Sequence, residues 1–306
     1  MLSIIWEVIA PIFAMVGLGY LVQKRVGLDL QTLARLNFYV FVPAFLFVKI
    51  YESTLSLADV GRIGLHFALF FGIMGALAWG LAGVFGLGER MKRALTASVI
   101  FYNSGNYGIP VAQLAFHGAA LPLQVQATMV MFQNISTFTV GVFIMAGGRG
   151  GRKRDTLLEV FKLPMIYVLV LAGVMRFFGW APLPPVNTAL HFLSNALVPI
   201  AVVTLGAQMA GLPVPKFGRA LSLSLALRLV AAPIIGFGLV WALGIKGLLG
   251  EALMVSTCFP TAVNSALLAL QFENEPEFAA AAVFYSTIVS TLTVSATIYV
   301  AREWLF

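Results

Sequence analysis

Two stretches of this chain place amides, hydroxyls and helix breakers together in the middle of otherwise apolar sequence. The first reads FYNSGNYGIP, at 101–110, and the second reads STCFPTAVNSA, at 256–266. The side chains that could bind a ligand through neutral hydrogen bonds are Asn103, Ser104, Asn106, Thr261 and Asn264. Neither stretch contains a carboxylate, and the clusters of Asp, His or Cys that membrane enzymes generally gather on membrane-facing loops are not visible in the sequence.

The same stretches contain residues that interrupt helices. Pro260 removes a backbone donor and clashes with the preceding turn, while Gly105 and Gly108 weaken a helix around Tyr102. Pro110 fits the first turn of a helix that restarts. We therefore expect irregular backbone around 103–106 and 259–264. The alternative is a continuous helix with a proline kink, but two such clusters at matched positions favour the break.

The charge of the predicted site indicates what it binds. A helix that restarts presents unpaired amides and a partial positive charge at its N-terminus, and two such termini would form a small anion site. All twelve acids lie in loops or near the ends of apolar segments, and Glu7 and Glu251 are the most embedded. Because no carboxylate could neutralise a cation there, we expect a small organic anion or a neutral amphiphile.

The composition of the chain predicts that the elements that position these residues lie in a membrane. The chain has 306 residues, of which 60% are hydrophobic and 10% charged, and its mean hydropathy is +0.95. That composition excludes a soluble enzyme, a DNA-binding domain and a disordered scaffold. Cys258 is the single cysteine, which excludes an intramolecular disulfide, and the three histidines are scattered, so no metal site is predicted.

Ten apolar segments are predicted as membrane-spanning helices, because hydrocarbon leaves each backbone group to be satisfied within its own segment. We call them spans 1 to 10; they lie near 3–22, 33–51, 62–86, 93–116, 123–146, 160–179, 189–210, 218–242, 250–271 and 277–301. Thirteen of the nineteen Lys and Arg residues follow spans 1, 3, 5 and 7. The positive-inside rule then makes that side cytoplasmic. The predicted location is the cell inner membrane, with both termini on its outer, periplasmic side. The net charge of +7 is a topology signal and not a nucleic-acid footprint.

Parts of the first half recur in the second. Five residues of span 4 recur in span 9 at an offset of 158, and Ser136-Thr137-x-Thr139-Val140 recurs 154 positions later in span 10. Each repeat holds five spans, and five is odd, so the second copy is inverted. The prediction is two inverted repeats, 1–147 and 160–306, joined by a cytoplasmic linker at 148–159. This architecture is typical of secondary transporters.

The motifs resemble those of the auxin efflux carrier family. The most specific are YNSGNYGIPVAQLAF at 102–116, MFQN at 131–134 and FPTAVNSALLALQFE at 259–273. The resemblance implies that Asn103 contacts substrate, that Gln133 faces it, and that Pro260 is a crossover proline. Tyr102 replaces the other crossover proline, and the second-span serine of plant members falls at about Leu46, so that contact is absent.

The family also implies a scaffold of spans 1, 2, 6 and 7, a transport unit of spans 3–5 and 8–10, and a homodimer. Spans 4 and 9 would break and cross at the substrate. The predicted function is a secondary transporter that moves a small organic anion, such as an auxin-like carboxylate or a dicarboxylate, by alternating access. The alternatives are an integral-membrane enzyme and a channel or sensor on a transporter fold. No cofactor is predicted, and proton or sodium coupling is left open.

Arg228 lies about nine residues into span 8, where a charge is costly. Two interpretations stay open. The residue could serve function at the centre of the protein, or its long stem could carry the guanidinium towards the cytoplasmic face.

Overall fold

A computed structural model describes residues 1–147, 163–212 and 218–304, and within these ranges all regular secondary structure is helical. The linker predicted at 148–159 lies outside the described residues. Helix forms in each of the ten predicted segments. Their bounds are Leu2–Val26, Leu30–Tyr51, Leu57–Val84, Glu89–Ile100 with Ser104–Gly108 and Ile109–Ala115, Ala120–Met145, Pro164–Phe178, Pro184–Gly211, Arg219–Ala242, Gly247–Ser256 with Val263–Gln271, and Pro276–Trp304. Within the described ranges, seven of these helices are long and apolar enough to cross a bilayer, which confirms an all-α membrane fold.

The connection between spans 1 and 2 shows how the sequence sets the helix ends. Span 1 ends at Val26 and is followed by Gly27, whose φ of 72° lies in the left-handed region that glycine adopts without strain. Span 2 begins after Asp29, whose carboxylate accepts hydrogen bonds from the Gln31 amide at 3.0 Å and the Thr32 hydroxyl at 2.6 Å. These bonds stabilise the charged carboxylate, and therefore they hold the pKa of Asp29 below its ordinary value.

Spans 1, 2, 4, 5 and 8 each contain one π-helical turn. The turns are Ile5–Ile9, Asn37–Phe41, Ser104–Gly108, Thr137–Gly141 and Leu227–Ala231. In four of the five, a proline follows the last residue of the turn by two positions, at Pro11, Pro43, Pro110 and Pro233. A proline ring crowds the carbonyl four residues earlier, and a π turn relieves that conflict without breaking the helix.

Spans 1, 2, 6 and 7 pack together. Span 1 lies closest to span 7, and span 2 contacts both span 6 and span 7. The contact between spans 1 and 7 is made by backbone, because Gly19 faces the Val203 carbonyl and Gly206 faces the Val16 carbonyl with no room for a side chain at either glycine. Small residues allow this close approach between helices in a membrane.

Spans 4 and 9 are both interrupted, and their interruptions cross. Span 4 stops at Ile100 and restarts at Ser104, and span 9 stops at Ser256 and restarts at Val263. Between the halves, the Asn103 amide donates to the Pro260 carbonyl at 2.7 Å and the Ala262 amide donates to the Phe101 carbonyl at 2.8 Å. The predicted breaks are thus present. Both begin two residues earlier than expected, at 101 and 257, and helix resumes at Ser104 and Val263, inside the predicted irregular segments.

Gly206→Ala tests the contact between spans 1 and 7. The added methyl group would overlap the Val16 carbonyl, so we expect the helices to separate and the protein to lose about 1–3 kcal/mol of stability. Gly17→Ala is the matched control, because Gly17 lies on span 1 with open space around it. Melting temperatures of the purified variants in one detergent give the comparison. Equal melting temperatures for the two variants would contradict the close contact.

Candidate functional site

A cavity lies against the restarted ends of spans 4 and 9. About 100 Å³ of it is open to the centre of a water molecule. The N-terminal turns of both restarted helices form part of its wall, and the rest comes from spans 2, 5 and 7. The lining residues are Ala34, Asn37, Phe38, Val42, Tyr102, Asn103, Ser104, Gly105, Asn106, Val130, Gln133, Asn134, Thr137, Gln208, Ala262, Val263, Asn264 and Leu267.

Five of the six residues predicted to bind substrate line this one cavity: Asn103, Ser104, Asn106, Gln133 and Asn264. Thr261 does not. Its side chain is fully buried, its hydroxyl donates to the Ser98 carbonyl at 2.8 Å, and its amide donates to the Ser286 hydroxyl at 3.0 Å. The hydroxyl of Thr261 therefore joins span 9 to the end of the first half of span 4, and it is not available to a ligand.

Asn103 is held by its main chain, and its side chain is left free. Its amide donates to Pro260, and its carbonyl accepts from the Gly108 amide at 2.9 Å. The side chain is 6% exposed, and its Nδ2 has no hydrogen-bond partner within the described residues. A buried donor without a partner costs free energy unless a ligand or water satisfies it. Asn103 therefore keeps an unsatisfied buried donor in the wall of the cavity.

Gln133 has a divided role. Its Nε2 donates to the Ile100 carbonyl at 3.2 Å, and its Oε1 has no partner within the described residues. The Nε2 of Gln133 therefore satisfies the last carbonyl of the first half of span 4, while its Oε1, a hydrogen-bond acceptor, remains unpaired beside the cavity. Gln126, on the same helix, donates to the Ser104 carbonyl at 2.6 Å and does not line the cavity. Span 5 thus supports both sides of the break.

The structure adds polar residues that the sequence analysis missed. Asn37 of span 2 is 4% exposed, and neither atom of its amide has a partner in the part of the chain that is described. Gln208 of span 7 also presents an Oε1 without a partner there. A polar residue within an apolar span is a functional signal in itself, and it could have identified Asn37. Leu46, where the second-span serine of plant members falls, is buried in an apolar cluster formed by spans 2, 4, 5, 6 and 7, and it does not line the cavity.

The predicted helix-breaking residues occupy different places. Gly105 lines the cavity and faces open space, whereas a side chain at Gly108 would meet the Phe259 ring at 2.5 Å. Pro110 lies in the first turn of the α-helix that follows, as predicted. The Pro260 carbonyl accepts a hydrogen bond from the Asn103 amide, and the backbones of Tyr102 and Thr261 pair in an antiparallel bridge. A tyrosine and a threonine, and not two prolines, therefore lie opposite each other at the crossing.

The electrostatics of the cavity favour an anion. Both restarted helices begin without a side-chain cap, at Asn103 and Ala262, and their first turns line the cavity, so the partial positive charge of both N-termini lies at its wall. None of the described residues that line the cavity is charged. Glu251, expected among the most embedded acids, is buried but does not line the cavity. Arg228 is buried behind Tyr102, with its guanidinium carbon 4.9 Å from the centre of that ring.

A larger, apolar cavity of about 640 Å³ adjoins the first. The two share Ala34, Gln208, Val263 and Leu267, and the larger one continues along the start of span 2 and the ends of spans 7 and 9. The polar site therefore lies at the inner end of a vestibule that reaches one end of the helix bundle.

Comparison with known proteins agrees with this geometry. A family model described as "Membrane transport protein" matches residues 4–298. An "Uncharacterized transporter" of Methanothermobacter thermautotrophicus is 25% identical over 295 residues, which cover 94% of this chain and 95% of the relative. A "Putative malonate transporter" of Rhizobium meliloti is 26% identical over 323 residues, which cover 96% of this chain and 95% of the relative. The chain belongs to the membrane transport protein family, the auxin efflux carrier-like family that its motifs resemble.

Proposed function

We propose that this protein is a secondary transporter of small organic anions. The observation that carries the proposal is the convergence of two restarted helix N-termini on a cavity whose described lining holds the unpartnered Nδ2 donors of Asn103 and Asn37 and no charged side chain. Such a site stabilises a carboxylate through backbone dipoles and neutral donors. The name of the Rhizobium meliloti relative, a malonate transporter, belongs to the same chemical class and supports it.

The proposal includes an architecture of ten spans in two inverted repeats, 1–147 and 160–306. An exchange of the repeats would turn span 1 into span 6 and span 2 into span 7. The contact of span 1 with span 7 then corresponds to that of span 6 with span 2, and both are among the most extensive in the protein. The matched interruptions of spans 4 and 9 support the same symmetry.

The position of the cavity supports alternating access as the mechanism. Spans 1, 2, 6 and 7 form the proposed scaffold, and they contribute Asn37 and Gln208. Spans 3–5 and 8–10 form the proposed transport unit, and they contribute Asn103, Gln133 and Asn264. Because the two units share the site, a movement of one against the other would change which end of the bundle the site faces. With the predicted topology, the vestibule makes this an inward-facing state.

Counterflow discriminates the carrier from the alternative classes. Vesicles that contain a carrier and are preloaded with unlabelled carboxylate accumulate labelled carboxylate from outside, and the rate of uptake saturates with its concentration. A channel or sensor on the same fold shows no counterflow, and a membrane enzyme converts the compound. The relatives, whose names describe transporters, agree with the carrier.

Asn103→Ala tests the site. The side chain donates to no protein group within the described residues, so its loss should remove one hydrogen bond to the anion and little else. Such a bond contributes about 1.5–3 kcal/mol, and we therefore expect roughly ten- to hundredfold weaker malonate binding. The melting temperature without ligand should stay near that of the wild type. Isothermal titration calorimetry and thermal unfolding measure the two quantities.

Gln126→Ala is the control, because Gln126 bonds the backbone beside the break but lies outside the cavity. It should lower the melting temperature and leave the affinity of the folded fraction unchanged. Gln133→Ala should lower the melting temperature, since Gln133 donates to the Ile100 carbonyl, and it should weaken malonate binding less than Asn103→Ala does, since only the acceptor Oε1 of Gln133 remains for the cavity. Wild-type affinity in a well-folded Asn103→Ala variant would remove Asn103 from the site.

The orientation proposed for the chain, with both termini outside the cell inner membrane, is tested by cysteine labelling. Cys258 is fully buried, and replacing it with serine gives a cysteine-free background. Val26→Cys at the end of span 1 and Leu57→Cys at the start of span 3 then place exposed thiols on either side of span 2. In intact cells, we expect an impermeant maleimide to label position 57 and not position 26. The reverse labelling would invert the topology.

The proposed assembly is a homodimer in the lipid bilayer. The exposed apolar side chains of span 6, such as Val170, Leu171 and Phe177, face lipid or a second copy of the chain. Multi-angle light scattering of the protein–detergent complex would determine the number of chains.

A further inference from the structure

We infer that Arg228 acts as a built-in cation at the crossing of spans 4 and 9. It occupies the position between two helix C-termini where a free cation would otherwise bind, and anion transport consequently needs no sodium. The inference rests on the proposed function for its transport consequence. Its structural part, that this cation position is filled, stands apart from the identity of the substrate.

The contacts of Arg228 join both broken helices. Arg228 lies in the π turn Leu227–Ala231 of span 8, and its side chain is fully buried. Its Nη1 donates to the Val99 carbonyl at 2.9 Å, and its Nη2 donates to the Thr257 carbonyl. Val99 belongs to the last turn before the break in span 4, and Thr257 directly follows the last helical residue before the break in span 9. One guanidinium therefore caps two helix C-termini.

Aromatic rings surround the same group. The guanidinium carbon lies 4.9 Å from the centre of the Tyr102 ring and 5.5 Å from that of Phe70. Such contacts stabilise a desolvated cation through the electron-rich faces of the rings. These positions differ from those of an arginine that extends to the membrane surface. Of the two interpretations that the sequence left open, the structure therefore favours the one that keeps Arg228 at the centre.

The charge of Arg228 is balanced by the backbone. Within the described residues, no carboxylate forms an ion pair with Arg228. A buried charge without compensation is costly. Each helix C-terminus carries a partial charge equivalent to roughly −0.5, so two of them amount to about −1 and match one guanidinium. Without Arg228, the same carbonyls would form an electronegative gap, and carbonyl oxygens at half-helix ends are ligands for coupling cations in transporters.

The position of Arg228 also connects it to the anion site. Tyr102 lies between the guanidinium and the cavity, and its neighbour Asn103 is the free donor. A positive charge one ring away favours an anion in a site whose walls are neutral. Arg228 is therefore a positioning and electrostatic residue that does not touch the substrate. A bound sodium ion would have supplied the same charge.

The first experiment uses the wild-type protein in proteoliposomes. Malonate counterflow is measured in sodium, potassium and choline chloride at equal ionic strength, and the melting temperature is measured in the same salts. We expect rates that agree within about twofold and a melting temperature that does not depend on the cation, because Arg228 already occupies the site. Counterflow that requires sodium would overturn the inference and leave the proposed carrier intact.

The second experiment vacates the position. In Arg228→Gln, the freed carbonyls should bind a small cation, so sodium should raise the melting temperature relative to choline, and malonate affinity in choline should fall roughly tenfold or more. Arg228→Lys keeps the charge and should remain indifferent to the cation, but its melting temperature should fall, because one ammonium group replaces the fork that bonds both carbonyls. Arg62→Gln, which removes an exposed arginine, controls for general salt effects.

These measurements separate the two hypotheses. If no carboxylate binds in any salt, the proposed function fails, but a cation-dependent melting temperature of Arg228→Gln would still support the built-in cation. A folded Arg228→Gln variant that is indifferent to cations would overturn it. If Arg228→Gln does not fold, the salt comparison of the wild type and of Arg228→Lys tests the inference. A wild-type protein whose melting temperature rises in sodium would show that the cation position is not filled.

Discussion

The structure depends on one constraint, that a helix may stop inside a membrane only if other groups satisfy its last carbonyls. The first half of span 4 meets this constraint completely. Its final four carbonyls each accept a hydrogen bond, from a backbone amide and from three different spans. The donors are Phe101 to Ala97, Thr261 to Ser98, Arg228 to Val99 and Gln133 to Ile100. The break is therefore fixed by spans 5, 8 and 9 together.

This constraint divides the polar residues of the crossing into two groups. Thr261 and Gln126 spend their hydrogen bonds on the backbone and are unavailable to a ligand. Asn103 and Asn37 keep amide atoms without a partner within the described residues, and both line the cavity. The helix C-termini point towards protein groups, and the helix N-termini point towards the cavity. The proposed anion site is thus a consequence of how the C-terminal end of each broken helix is satisfied by protein groups.

The sequence predicted the ten helical segments, both breaks and five residues of the cavity, because each leaves a local signal. Apolar length predicts a span, and a cluster of amides with glycine or proline predicts a break. The sequence could not separate Thr261 from Asn264, because both are polar residues at the same break and only the tertiary contacts of Thr261 show that its hydroxyl is used. Gln208 and Asn37 were missed for a related reason. Each lies within an uninterrupted span, Asn37 at the start of a π turn, and the packing of spans 2 and 7 against the crossing brings them to the cavity.

Arg228 would make the transport cycle sensitive to the membrane potential, because it lies on span 8, within the unit proposed to move. A unit charge that crosses the whole membrane potential gains or loses about 2.3 kcal/mol per 100 mV. A bound monoanion would cancel the guanidinium charge, so voltage would act on the return of the empty unit and not on the loaded step. A dianion would leave one net negative charge, and voltage would then act on the loaded step with the opposite sign. The charge of the cargo, set against one arginine, would decide which half of the cycle the membrane potential drives.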